Sequence, residues 1–415
     1  MSKKIVIIGG GIIGLCTAYY MQKEGFEVTI VDQSDFSTGA SFINAGYITP
    51  SHLISLAAPG IISKGIKWMF DASSPFYVKP RFDMDFLKWS LAFKKSATKA
   101  KVEKAIPHIK NFNLLSRDLY ETMLTSNDFD FHYERKGLLM CYKTEKAGEE
   151  EWATGKMAIE QGLGVQNLSK EAVRKLEPTA NFDIKGAVYY DSDAHMTPAD
   201  FMPRIIAFLK SIGVRFLKNS KVIDFEVTNK KITKIKTLQQ TIEADEFVLA
   251  AGSWSALLSK KLGLKIPIQA GKGYSIHTTM PTGITIPAIL CEAKVAVTPM
   301  NGFTRFAGTM EFSGINHTIN SVRVAAISKA VSNYYTGVQL TPQENKNAAC
   351  GLRPCSPDGL PYIGKSTKCE NLTIATGHAM MGWSLGPATG KLVSEILANK
   401  KLSLDMDPYH PERKF

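Results

Sequence analysis

Three glycines, Gly9, Gly11 and Gly14, follow the short apolar run KIVII and open a second apolar stretch. This G-x-G-x-x-G spacing between a strand and a helix suits a dinucleotide pyrophosphate. Gly9 permits the tight turn, Gly11 lets the phosphates approach the backbone, and Gly14 lets helix and strand pack closely. The first helical residues, Ile12 and Ile13, would present free N–H groups and partial positive charge to the phosphates. Asp32 closes the next apolar run, where a carboxylate can accept hydrogen bonds from ribose hydroxyls and disfavours a 2′-phosphate. NAD and FAD both use this arrangement, so the motif alone leaves both open.

Other small-residue segments could lie against an elongated cofactor. Ser41, Asn44, Ala45 and Gly46 follow the second strand, and Ala251, Gly252 and Trp254 follow a later one. Near the C-terminus come Gly351-Leu352-Arg353-Pro354-x-Ser356-Pro357-Asp358-Gly359-x-Pro361-x-Ile363-Gly364 and then Gly377-His378 with Met381-Gly382-Trp383-Ser384. The planar guanidinium of Arg353 suits a bidentate carboxylate. That carboxylate could belong to a ligand or, structurally, to Asp358. The six cysteines form no CxxC, and His52, His108, His132, His195, His277, His317 and His410 show no paired spacing. No metal site is expected.

The elements that must position these residues read as an α/β chain. Residues 4–8 and 27–31 read as buried parallel strands around a helix over 12–24. Helical patterns follow over 83–124, 144–162 and 169–177. Another helix over 198–211 has Thr197 as its cap and Pro198 at its first position. A hairpin is expected at Asn229-Lys230, and 266–335 reads mostly as strand. The last helix should begin near Gly386-Pro387 and run to about Asn399. The expected fold is a Rossmann-like nucleotide-binding domain in three pieces (1–85, 155–260, 345–415). Residues 86–154 and 261–344 would form an inserted, mainly antiparallel α+β substrate domain.

The 415 residues are 44% hydrophobic and 21% charged, which excludes disordered and collagen-like chains. The net charge of +12 favours anionic partners. Residues 52–110 carry 11 Lys/Arg against 4 Asp/Glu. With Trp68, Met69, Phe70, Phe86, Leu87 and Trp89 among the lysines, this stretch fits a peripheral contact with an anionic membrane, and equally a solvated face. Glycines interrupt the N-terminal apolar run, so it does not read as a secretory signal. No run reaches the ~18 apolar residues of a membrane span. The expected location is cytoplasmic, with membrane contact on the inner face of the cytoplasmic membrane.

In this order the motifs resemble those of the D-amino-acid oxidase superfamily of FAD enzymes. Within it, the stretch AAPGIISKGIKWMF is most similar to the bacterial D-amino-acid dehydrogenase subgroup. The resemblance implies extended, non-covalent FAD held by the residues named above together with Val222. It implies oxidation of an amino acid's carbon–nitrogen bond by hydride transfer to flavin, with no side-chain base. Free D-amino acids, D-proline and hydroxy-D-proline among them, would be the substrates, and a quinone-like or other carrier the acceptor. Arg353 would bind the substrate carboxylate, Met310, Tyr274 and His378 would lie at the substrate, and the last helix would point at the flavin's pyrimidine end. Cys350, near where sarcosine oxidases carry covalent flavin, is expected to be packing only. The alternatives are a glycine/sarcosine-type oxidase using oxygen and a non-catalytic flavoprotein subunit. Arg353 in its motif argues against the second, and no nucleic-acid partner is expected.

Overall fold

The computed structural model describes residues 2–58, 60 and 74–415. KIVII folds as β1 (Lys4–Ile8), with four of its five residues buried. A strand covered on both faces has to be a continuous apolar run of this kind. The glycine turn leads into α1 (Ile12–Lys23) and on to β2 (Glu27–Val31), which pairs parallel with β1 from Lys4↔Glu27 to Ile8↔Val31. On its other edge β1 pairs parallel with Glu246–Leu249. The full order is Arg215–Leu217, β2, β1, Glu246–Leu249, Leu372–Thr376 and Tyr362–Lys365, with only the last pair antiparallel. Strand order reverses at β1, and such a reversal opens a crevice at the strands' carboxyl ends.

Helix α1 is buried along nearly its whole length because the C-terminal helix Gly386–Leu397 lies directly on it. A Cβ on Gly390 would stand 2.4 Å from the Cys16 backbone, so glycine permits the contact. A long helix, Lys99–Thr125, joins this core through Ile109, Phe112, Tyr120 and Met123.

The second layer is a nine-stranded, mainly antiparallel sheet. Its spine pairs Ala349–Cys355 with Gln269–Thr278, then Phe303–Phe312, Val295–Met300 and Ala288–Leu290. Leu138–Tyr142, Gly186–Tyr190 and Val165–Ser169 extend it, and Phe76–Val78 pairs at the end of Phe303–Phe312. These pairings cross the expected boundaries. Strands within 165–190 join the antiparallel sheet, because Gly186–Tyr190 pairs with Leu138–Tyr142 through Met140↔Val188. Helix Lys99–Thr125 packs with the nucleotide unit instead, its apolar face meeting the C-terminal helix.

Two local expectations need correction. The stretch 266–335 ends in the helix Ser321–Tyr334, where Val324, Ile327 and Val331 recur at helical spacing behind an Asn320 cap. Helix Pro198–Ser211 begins as expected, but the Thr197 side chain does not cap it. Its hydroxyl instead accepts from the Asn301 N–H and contacts His132. The Asn229-Lys230 hairpin forms, with both residues at positive φ (49° and 60°), as a two-residue turn of this hand requires. Among the described residues, no helix is long and apolar enough to cross a membrane.

Candidate active site

A cavity of about 1120 Å³ opens at the carboxyl ends of β1, β2 and Glu246–Leu249 and runs beneath the antiparallel sheet. Pockets for drug-sized ligands span about 300–1,000 Å³, so this one has room for a long cofactor. The glycines at its mouth divide by role. A Cβ on Gly9 would meet Ala250 O at 2.4 Å, and one on Gly14 would meet Gly9 O at 1.9 Å. Both therefore serve backbone packing. A Cβ on Gly11 would meet only Ser41 Oγ, at 3.3 Å, so its free side faces the cavity. That open cradle at a helix N-terminus fits a pyrophosphate. Asp32 lines the same end, where its carboxylate accepts the Gly10 N–H at 2.6 Å and the Ser34 N–H at 2.7 Å. Ser41 Oγ accepts the Ile12 N–H at 3.0 Å, standing in for a cap that Gly11 cannot supply.

The segment 41–46 is held from the antiparallel sheet. Buried Arg305 donates to the carbonyls of Phe42 (3.1 Å) and Asn44 (2.7 Å), and Thr298 Oγ1 donates to Ala45 O at 2.7 Å. Burial pulls the Arg305 guanidinium down to about 10. Gly46 takes φ +75 with a Cβ position 2.1 Å from Met196 O, so it serves the chain path and does not line the cavity. Asn44, Ala45, Val222, Ala251, Gly252 and Trp254 do line it, and the Trp254 ring stacks on His317.

Arg353 projects from Ala349–Cys355 into the inner part. Nη1 donates to Thr309 O at 2.8 Å and lies 4.0 Å from Met310 Sδ. Among the described residues it has no ion-pair partner. Asp358, the structural alternative, is taken by Arg413 in a two-pronged pair at 2.7 and 2.8 Å. Burial lowers the Arg353 pKa, yet the group stays cationic at neutral pH. A Cβ on Gly273, on the neighbouring strand, would fall 2.2 Å from Arg353 Nη1, so this glycine makes the room for the guanidinium.

Met310 and Tyr274 also line the cavity, but the Tyr274 hydroxyl donates to Glu311 Oε2 at 2.7 Å and is committed there. Glu311 in turn meets Lys272 at 3.0 Å and Arg323 at 3.5 Å. His378 is buried, with Nε2 2.9 Å from Thr389 Oγ1. That hydroxyl spends its proton on Leu385 O, so Nε2 donates and Nδ1 is the unprotonated nitrogen. Burial pushes His378 down to about 3, so it is neutral at physiological pH.

Met381, Gly382, Trp383 and Ser384 line the cavity just ahead of the C-terminal helix. Ser384 accepts the Thr49 N–H at 3.0 Å and donates to Asn113 at 2.6 Å. Gly377, at φ +81, lies outside the cavity wall against the Tyr362 ring. Cys350 is also off the wall, its thiol donating to His317 O and raised by burial. Arg305 and Gly273 escaped sequence reading because their roles are cross-strand. The only signal was a basic residue and a glycine inside stretches that read as strand. His52 and Lys294 also line the cavity, and burial holds His52 near 4.

Comparison with known proteins bears on what this cavity holds. The model of the family described as FAD dependent oxidoreductase (DAO) matches residues 4–396. D-amino acid dehydrogenase of Helicobacter pylori (strain ATCC 700392 / 26695) is 31% identical over 400 residues, covering 95% of each chain. That of Vibrio atlanticus is 30% identical over 412 residues, covering 97% of this chain and 98% of the relative. Glycine oxidase from Geobacillus kaustophilus superposes with a TM-score of 0.78 at 20% identity, covering 100% of both chains. L-proline dehydrogenase from P. horikoshii gives 0.72 at 19%, covering 99% and 97%. A fingerprint crevice open at Gly11, an arginine lining the cavity and a family model spanning both sheets agree: this chain belongs to the DAO family of FAD-dependent oxidoreductases.

Proposed function

We propose that this chain oxidises free D-amino acids, D-proline and hydroxy-D-proline among them, with non-covalent FAD and an acceptor other than oxygen. The carrying observation is Arg353, a cavity-facing guanidinium with no carboxylate partner among the described residues, anchored at 2.8 Å to Thr309 O. Relatives named D-amino acid dehydrogenase at about 30% identity over nearly the whole chain support the substrate class.

FAD, when bound, takes up the hydrogen and electron pair that leave the substrate α-carbon. Gly11 and the N-terminus of α1 would hold its pyrophosphate, Asp32 a ribose, and the 381–384 segment the ring end. Arg353 fixes the substrate carboxylate and so holds the α-carbon in place for the transfer. Met310 and Met381 offer apolar walls for the side chain. The amine's lone pair forms the C=N bond as the hydride leaves, and water hydrolyses the product. Neutral His378 adds no positive charge beside that amine.

The acceptor reading rests on the helix Met84–Ser96. Phe82, Met84, Leu87 and Leu91 are exposed beside exposed Lys88, Lys94 and Lys95, a pattern that suits an anionic membrane where a quinone resides. The aromatics first assigned to that contact differ. Trp89 is buried, stacking with Phe86 and Phe93 and donating to Cys355 O, while Trp68, Met69 and Phe70 lie outside the described residues.

The test is anaerobic addition of D- and L-amino acids to the flavin-loaded protein, followed by dye-linked turnover. D-amino acids should bleach the flavin and L-enantiomers should not. Bleaching by glycine or sarcosine with peroxide release in air would replace this reading with an oxidase, and no bleaching would leave a binding subunit.

A further inference from the structure

At the edge of the cavity, Tyr47–Ile48, Ala194–Met196 and Tyr133–Glu134 form a short sheet that gathers two imidazoles and a carboxylate off the cavity wall. Glu134 and His195 stand directly opposite in antiparallel register. His132 lies two residues before Glu134, the spacing that places extended-chain side chains on one face. One ligand atom from each of His132, Glu134 and His195 lies within 4.8 Å of the others. The histidines read as unrelated in the sequence because strand pairing, not spacing, brings them together.

His195 makes this more than an ion pair. It is fully buried, and among the described residues Nδ1 has no hydrogen-bond partner and Nε2 has no well-aligned one. Nε2 stands 3.3 Å from Glu134 Oε2 without hydrogen-bond alignment. A buried imidazole left this way costs free energy unless another group engages it. His132 Nδ1 is 2.9 Å from Thr197 Oγ1, and the tautomer donating Nδ1–H there turns an Nε2 lone pair toward the cluster. Metal-ligating histidines are oriented by such outer hydrogen bonds. Thr197 is thereby given an occupation other than the expected helix cap.

We propose that His132, Glu134 and His195 bind one divalent first-row metal ion of the zinc class, with water completing its shell. Two imidazole nitrogens and one carboxylate oxygen suit zinc, nickel or copper rather than magnesium or calcium. Donor atoms must close by roughly 1 Å to reach bonding distances. The side chains of His132 and Glu134, 21% and 34% exposed, have the freedom to move and leave an entry path. Two other charges face the cluster. Lys136 Nζ, 2.9 Å from Glu134 Oε2, opposes the cation, and Asp200, which accepts the His132 backbone N–H, favours it. None of the three ligands lines the cavity, so the ion is structural. It would pin Tyr133–Glu134 to Ala194–Met196, whose other neighbour carries cavity-lining Tyr47.

The test uses flavin-loaded protein stripped with a chelator and titrated with Zn²⁺ alone, by calorimetry and thermal denaturation. We expect one high-affinity zinc per chain, a raised Tm, and no substitution by Mg²⁺. His132→Ala and Glu134→Gln should each weaken binding by about tenfold or more and remove the Tm rise. His277→Ala, at an exposed histidine, should retain both. Failure of the unaltered protein to bind zinc, or unchanged affinity in both ligand variants, would overturn the site.

Discussion

Arg353 and Gly273 together make up the proposed substrate anchor, and they separate by size of effect. Arg353→Leu removes the one guanidinium that lines the cavity among the described residues, and losing one partner of a buried pair costs about 3–5 kcal/mol. kcat/KM should therefore fall by more than about two orders of magnitude while flavin content stays normal. Equal kcat/KM in variant and parent would remove Arg353 from the site. Gly273→Ala places a methyl where Nη1 now lies, so Arg353 must swing aside. It should raise KM with the flavin spectrum unchanged. His378 yields a pH prediction. Its folded pKa, about 3, lies below the ordinary 6.5, so between those values the unfolded chain binds more protons. Stability is thus undiminished above pH 6.5 and is lost as pH falls toward 3. The slope is at most about 1.4 kcal/mol per pH unit. His378→Gln keeps a donor for Thr389 without the titration. Urea unfolding from pH 4 to 7 should show a flatter profile, and parallel profiles would contradict a neutral buried histidine. Arg353 was legible in the sequence because its neighbours form a recognisable run. Gly273 was not, because a glycine's purpose here is the side chain on the adjacent strand.

At the scale of elements, the segment 41–46 is braced by the antiparallel sheet behind it. Arg305→Met would leave the Phe42 and Asn44 carbonyls without their donor, at about 1–3 kcal/mol for each stranded group. The segment should loosen and FAD should dissociate more readily, measured as a raised Kd with the secondary structure intact. An unaltered Kd would mean that the segment holds its shape unaided. The helix Met84–Ser96 shows what periodicity can and cannot reveal. Its existence follows from an Asp83 cap and apolar spacing, but which aromatics face inward does not. Trp89 finds Phe312 and the Cys355 carbonyl, residues more than two hundred positions away. The exposed stripe is instead Met84, Leu87 and Leu91, flanked by lysines. Each lysine near an anionic surface contributes about 1 kcal/mol, and salt screens it within roughly 8 Å. Lys94→Glu with Lys95→Glu should reduce flotation with anionic vesicles at low salt and leave dye-linked turnover unchanged. Equal flotation of variant and parent would dissociate this helix from the membrane.

For the whole molecule, the cavity is walled by both sheets, so FAD binding and global stability must be linked. The parallel sheet was readable because each strand is a continuous apolar run and the glycine turn is local. The division of the second layer was not. Strands 138–142 and 186–190 are short apolar runs like those of the parallel sheet, so only pairing decides which sheet they join, and polar 165–169 carries no apolar strand signal at all. Because the cavity spans the two layers, a ligand that binds only the folded state stabilises the whole chain by RT ln(1 + [L]/Kd), about 2.7 kcal/mol at a hundredfold excess over Kd. FAD added to flavin-free protein should therefore raise Tm progressively with concentration. Gly11→Val isolates the cause. The new side chain would point into the open cradle, with only Ser41 Oγ near its Cβ, so the flavin-free protein should melt close to the parent. The FAD-dependent rise should vanish, because the side chain occupies the pyrophosphate's space. Gly14→Val should instead lower the flavin-free Tm outright, since its Cβ falls 1.9 Å from Gly9 O. A Gly11→Val protein that still gains stability with FAD would place the pyrophosphate elsewhere. In the parent, acid precipitation should release all the flavin, and flavin left on the pellet would return Cys350 to consideration as a covalent site.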